Sequence, residues 1–136
     1  MTTIEKVLVR MTHYPQLSHR ATDDSITVDA ASPTGFTVLL HAKNGKFTVG
    51  FDGWHEHFDS ESDALDCFAM GLAGKCRLKV CRRGTIEYRW TLEYPSIDGW
   101  LEDSTTGLLF FPFWRRCEVI YRQNPVINPS GYPGGH

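Results

Sequence analysis

Phe36-Thr37-Val38-Leu39-Leu40-His41-Ala42-Lys43-Asn44-Gly45-Lys46-Phe47-Thr48-Val49-Gly50-Phe51 is the stretch that decides the fold. Asn-Gly between two alternating runs is the strongest short-range mark of a two-residue hairpin, because both turn positions need the left-handed backbone these residues tolerate. The register follows from the alternation. With Lys43 opposite Lys46, Phe36, Val38, Leu40 and Ala42 share a face with Phe47, Val49 and Phe51, while Thr37, His41, Lys43, Lys46, Thr48 and Asp52 take the other. Leu39 alone falls on the polar side.

Working outward, Asp52-Gly53 precedes Trp54-His55-Glu56-His57-Phe58, where the large residues switch from odd to even positions. That change reads as a bulge or bend at Gly53. A helix follows, capped by Ser60 with Asp63 three residues later, and Leu65, Phe68, Ala69 and Leu72 form its expected buried stripe. Residues 76–94 read as a second hairpin around the loop Arg82-Arg83-Gly84. Pairing Cys81 with Thr85 places Lys79 opposite Glu87 at the cost of Arg77 opposite Arg89. Upstream, Thr2 caps a short helix over about residues 3–13 that carries Ile4, Val7, Leu8 and Met11, and Ile26, Val28 and Ala30 alternate as a strand. Downstream, Ser104-Thr105-Thr106-Gly107 reads as a turn before the apolar run Leu108 to Trp114, and Cys117, Val119 and Tyr121 alternate.

These elements give an α+β fold: a curved, mostly antiparallel sheet of seven or eight strands, a meander of hairpins, packed against two helices. Residues 1–123 form one domain, consistent with a chain of 136 residues. Residues 124–136 hold three Pro and three Gly and read as a mobile tail.

Charge narrows the function. Fourteen Lys and Arg against 16 Asp and Glu leave a net charge of -2, which disfavours nucleic acid as a partner. A weak site for it would use Arg77, Lys79, Arg82, Arg83 and Arg89 beside Tyr88 and Trp90. The charges are also segregated: residues 51–66 hold six acids and no Lys or Arg, and residues 75–89 hold six bases and one acid. The chain shows no run long enough for a signal peptide or membrane span, so the expected setting is the cytoplasm, away from membranes. Cys67, Cys76, Cys81 and Cys117 show neither metal-finger nor C-x-x-C spacing, so they read as reduced thiols. No nucleophile elbow or phosphate-loop spacing occurs.

Two constellations remain. His55-Glu56-His57 puts two imidazoles on one side of an extended segment, within reach of one divalent metal ion. His41, Asp52, Asp59 or Glu61 would supply a third ligand, and the set would then support a metal-assisted hydrolase or lyase in which Glu56 or Asp59 handles a proton. No other cofactor is indicated. The second is aromatic: Tyr88, Trp90, Trp100, Phe111 and Trp114 are the candidates for lining an apolar cavity. Leu108 to Trp114, apolar on both parities, needs a cover, and a homodimer through residues 108–114 would provide one. On balance the sequence reads as a small binding module for a protein partner or an apolar small molecule, rather than an enzyme.

Overall fold

The computed structural model describes residues 1–107 and 117–125. Among them the chain forms α1 (Thr3–Met11), β1 (His19–Ala21), β2 (Ser25–Val28), β3 (Val38–Lys43), β4 (Lys46–Phe51), β5 (Trp54–Phe58), α2 (Glu61–Leu72), β6 (Arg77–Arg83), β7 (Ile86–Ser96), β8 (Gly99–Gly107) and β9 (Cys117–Arg122). The α+β class and antiparallel pairing stand. The strands divide into a five-stranded sheet, β1-β2-β3-β4-β5, and a four-stranded sheet, β8-β7-β6-β9, which pack together without closing.

The first hairpin forms in the register its alternation sets, with Lys43 opposite Lys46 and Val38 opposite Phe51. Asn44 and Gly45 both take positive φ, at 53° and 73°, as a type I′ turn requires. Phe36, Val38, Leu40, Val49 and Phe51 are buried on the core face, and Leu39 stands half-buried on the open face opposite Gly50. Asp52-Gly53 is a second two-residue hairpin turn rather than a bulge: Phe51 pairs with Trp54, and Asp52 has φ 52°. A two-residue turn reverses the chain and so moves the inward set from odd to even positions. What requires glycine at position 53 is space, since a Cβ there would lie 2.2 Å from Trp90 Cε2.

The second hairpin differs from its expected register. Its turn is Gly84-Thr85, with Arg83 opposite Ile86 and an irregularity between Cys81 and Arg82 that leaves Tyr88 as the extra residue. Gly84, at φ 62°, occupies the first turn position, where a II′ turn needs glycine. This register wins on pair chemistry. Val80 faces Trp90, Leu78 faces Leu92, and Arg77 faces Glu93 instead of another arginine. Ser104–Gly107, expected as a turn, is the end of β8, and Thr105–Gly107 pair with β7.

Both helix caps form: Thr2 Oγ1 accepts from Glu5 N–H and Ser60 Oγ from Asp63 N–H. One core joins the layers, with Phe51 between Phe36 and Trp54 at centroid distances of 5.0 and 4.8 Å. Side-chain hydrogen bonds stitch the sheets. Arg122 of β9 binds both carboxylate oxygens of Glu87 and reaches Asp52 at 2.8 Å, and Trp54 Nε1 donates to Ser104 Oγ. Along the seam between β5 and β8, Thr106 Oγ1 accepts from His55 N–H and donates to the His55 carbonyl.

Asn124, the first residue of the expected tail, is buried and belongs to the domain. Its Oδ1 accepts from Phe36 N–H and its Nδ2 donates to Gly71 O. Residues 126–136 lie outside the described residues, as do residues 108–114 with Phe111, Trp114 and the expected dimer strand. No helix among the described residues is long and apolar enough to cross a membrane.

Candidate functional site

α2 carries apolar residues on more than one flank, and this creates the site. Ala64, Cys67, Phe68 and Gly71 face the five-stranded sheet. Of the expected stripe, only Phe68 is fully buried; Leu65 and Leu72 are half-buried and Ala69 is exposed. The helix is turned because Ala64 and Gly71 permit close approach. A Cβ on Gly71 would lie 2.4 Å from the Phe51 ring, so the smooth side of the helix goes to the sheet and the leucines are left on the flank.

Across that flank lies α1. Ile4, Val7 and Met11 join the core at its inner side. Glu61, in the first turn of α2, ties down the start of α1: it accepts from Thr3 Oγ1 at 2.5 Å and from Lys6 Nζ at 2.7 Å. These bonds hold the Glu61 carboxyl below its ordinary range, with Lys6 the larger cause. Between the helices runs a groove of about 670 Å³, floored by Val7, Met11, Leu65, Phe68 and Leu72. The Lys6–Glu61 pair lies at its rim, as do Arg10 of α1 and Asp66 of α2. Tyr14 and Leu17 also contribute to the wall. The sequence signal for this groove was the surplus: Leu65, Ala69 and Leu72 are more apolar residues than a helix covering one sheet face needs.

The structure does not gather the aromatic candidates into one place. Trp90 is buried in the core, against Gly53, with its Nε1 donating to Glu87. Tyr88 has its hydroxyl 3.3 Å from Cys117 Sγ and the Arg83 and Arg89 guanidiniums 5.6 Å from its ring. Cys117 pairs with Arg83, whose position in β6 projects to the face opposite Val80 and its partner Trp90, so Tyr88 and Trp90 serve different sides of the sheet. Trp100 is half-buried beside Arg77, whose guanidinium lies 4.2 Å from the Trp100 and Tyr121 ring centroids. The basic run is largely neutralised. Arg77 pairs with Glu93, Lys79 with Glu102 and Arg82 with Glu118.

His55 and His57 do share a face, both exposed, with ring centroids 5.5 Å apart. Of the four expected third ligands, three are engaged elsewhere, Asp52 with Arg122 and Thr37 N–H, Asp59 with Lys46, and Glu61 with Thr3 and Lys6, while His41, exposed on the same face, is separated from His57 by Thr48 in the cross-strand row. Among the described residues no group of three His, Cys, Asp or Glu is placed to hold a metal ion. Glu56 points the other way, toward the core side, and burial followed by the charge of Asp103 raises its carboxyl above the ordinary range. It is therefore not beside the imidazoles to exchange a proton at that face. All four cysteines are free, and burial pushes the Cys67 and Cys76 thiols up to about 12, away from nucleophilic use.

Comparison with known proteins supplies no relative: no family model, curated protein or solved structure matches the chain.

Proposed function

We propose that the chain is a binding module whose α1–α2 groove takes an apolar small molecule. The observation that carries this reading is the groove itself. Its volume of about 670 Å³ lies within the roughly 300–1,000 Å³ of ligand sites, and its floor is apolar with charges confined to the rim. Burying a ligand there removes the half-exposed Leu65 and Leu72 and the exposed Ala69 from water, each Å² of apolar surface contributing about 25 cal/mol before the costs of association. Since the rim holds both signs, the floor selects for apolar shape rather than for charge.

The test is fluorescence titration with N-phenyl-1-naphthylamine, a neutral apolar probe. Saturable one-to-one binding is expected. Ala69→Trp, on an exposed helix position at the groove, should weaken it at least tenfold while leaving the melting temperature near that of the parent. Equal affinity in both proteins, or no saturable binding to the parent, refutes the reading.

A further inference from the structure

We infer that His55 and His57 form a two-imidazole site on the open face of the five-stranded sheet for a late first-row divalent cation, Cu²⁺ above Zn²⁺ or Ni²⁺. This site is separate from the groove and does not depend on it.

Four observations carry it. The first is placement: β5 is regular from Trp54 to Phe58, so positions 55 and 57 project together while Trp54 anchors the strand in the core and Phe58 packs at its margin. The second is separation. A metal bonded to imidazole nitrogen at about 2.05 Å sits ~3.2 Å from the ring centroid, so two rings have centroids ~5.2 Å apart at the tetrahedral angle of Zn²⁺ and ~4.5 Å apart at the right angle between neighbouring ligands of tetragonal Cu²⁺. The observed separation is 5.5 Å, with the rings inclined at 67°, so rotation of the two exposed side chains must close it by ~0.3 Å for the tetrahedral arrangement and by ~1 Å for the tetragonal one. The third is orientation. Thr48, directly opposite His57 across the β4–β5 ladder, makes a 2.9 Å hydrogen bond to His57 Nδ1. That bond occupies Nδ1 and leaves Nε2 as the nitrogen to bind a metal, which is how supporting hydrogen bonds orient metal-binding histidines. The fourth is the surrounding charge. The lysines of this face are already compensated, Lys46 by Asp59 at 2.8 Å and Lys43 by Asp24 at 3.8 Å, so they do not confront an arriving cation as bare charges.

Because no third protein ligand joins the pair among the described residues, water completes the coordination. An imidazole-and-water set favours Cu²⁺ over the neighbouring divalent ions by the general order of stability, and disfavours Mg²⁺ and Ca²⁺, which require oxygen ligands. Thr48 acts as a positioning residue and does not touch the metal. His41 is the internal control, being exposed on the same face but separated from His57 by Thr48 in the cross-strand row.

Calorimetric titration of the tag-free chain with CuCl₂, then ZnCl₂ and MgCl₂, tests the site. The expected result is one Cu²⁺ per chain, weaker Zn²⁺ and no Mg²⁺ binding. His55→Ala and His57→Ala should each weaken Cu²⁺ at least tenfold, Thr48→Val a few-fold, and His41→Ala not at all. Amide NMR gives a second reading that is independent of heat: Cu²⁺ should broaden residues around 48, 55 and 57 first. The inference is overturned if the parent binds no Cu²⁺, if a full equivalent persists unchanged in the His55→Ala, His57→Ala double variant, or if broadening centres elsewhere.

Discussion

Replacing Asn124 tests whether the end of the described chain is a structural fastener. Its amide makes two bonds at once, accepting from Phe36 N–H at 2.8 Å and donating to Gly71 O at 3.0 Å, and the residue is only 5% exposed. Asn124→Ala removes both partners and leaves a backbone donor before β3 and a backbone carbonyl in the last turn of α2 without them. Each orphaned buried group costs about 1–3 kcal/mol, so the combined loss should be about 3 kcal/mol, against roughly 5–15 kcal/mol for a whole domain. With a urea m-value of about 1.5 kcal/mol/M the midpoint falls by ~2 M at unchanged m. Asn124→Asp sharpens the reasoning. The introduced carboxylate still accepts from Phe36 N–H but opposes the Gly71 carbonyl, so at pH 7 the loss should match or exceed that of the alanine variant. Its folded-state pKa is then raised above the unfolded value, and the sign follows: stability recovers as pH falls, because the protonated acid can donate to Gly71 O. Urea melts of the three proteins at pH 7 and pH 4.5 decide the matter. A loss below about 0.5 kcal/mol for Asn124→Ala, or an aspartate variant that weakens further on acidification, refutes the fastener.

Three further outcomes follow from the same structure. Gly53→Ala should cost about 1–3 kcal/mol in urea melts, because its Cβ meets the Trp90 ring, and Trp90→Leu should shrink that difference. The Arg122 bonds hold the Glu87 carboxyl below its ordinary range, so the stability they contribute is present above the unfolded pKa of about 4.3 and is lost as pH falls through the folded one. Arg122→Gln should therefore lower the melting temperature at pH 7, with the gap to the parent closing in acid. Finally, Cys117 is exposed while Cys67, Cys76 and Cys81 are buried, so a colorimetric disulfide reagent should titrate one thiol quickly at pH 8 and all four only in denaturant.

The readable parts of the fold were those where neighbouring residues settle the structure. Asn44-Gly45 fixes its own turn, and parity then assigns every side chain of the first hairpin to a face. Thr2 and Ser60 declare their helix starts through one side-chain bond each. The second hairpin was harder because Gly84 fits two loop lengths. The choice depends on residues far along the strand, Glu93 opposite Arg77 and Leu92 opposite Leu78, and on an extra residue at Tyr88 that strict alternation does not anticipate. Asp52-Gly53 carried the same hairpin signal as Asn44-Gly45, and the parity switch after it is the signature of that turn. The fold class was legible, but the split into two sheets rests on long-range pairing, above all β9 joining β6. As for the candidate sites, the shared face of His55 and His57 follows from period-two geometry. The groove does not follow from any one segment, because it needs α1 beside α2 and a helix turned by the fit of Gly71 onto Phe51. Asn124 was hidden by composition: it opens a proline- and glycine-rich run, and nothing local marks its two distant partners.

The Thr106 hydroxyl that meets both backbone groups of His55 stands in for a single rung between two strands that share no ladder. A lone side-chain rung occupies the exposed amide and carbonyl at that point, which blunts an outermost strand against recruiting foreign chains. It transmits no pairing offset, however. Each sheet keeps its own alignment, so an insertion that slips one need not shear the other.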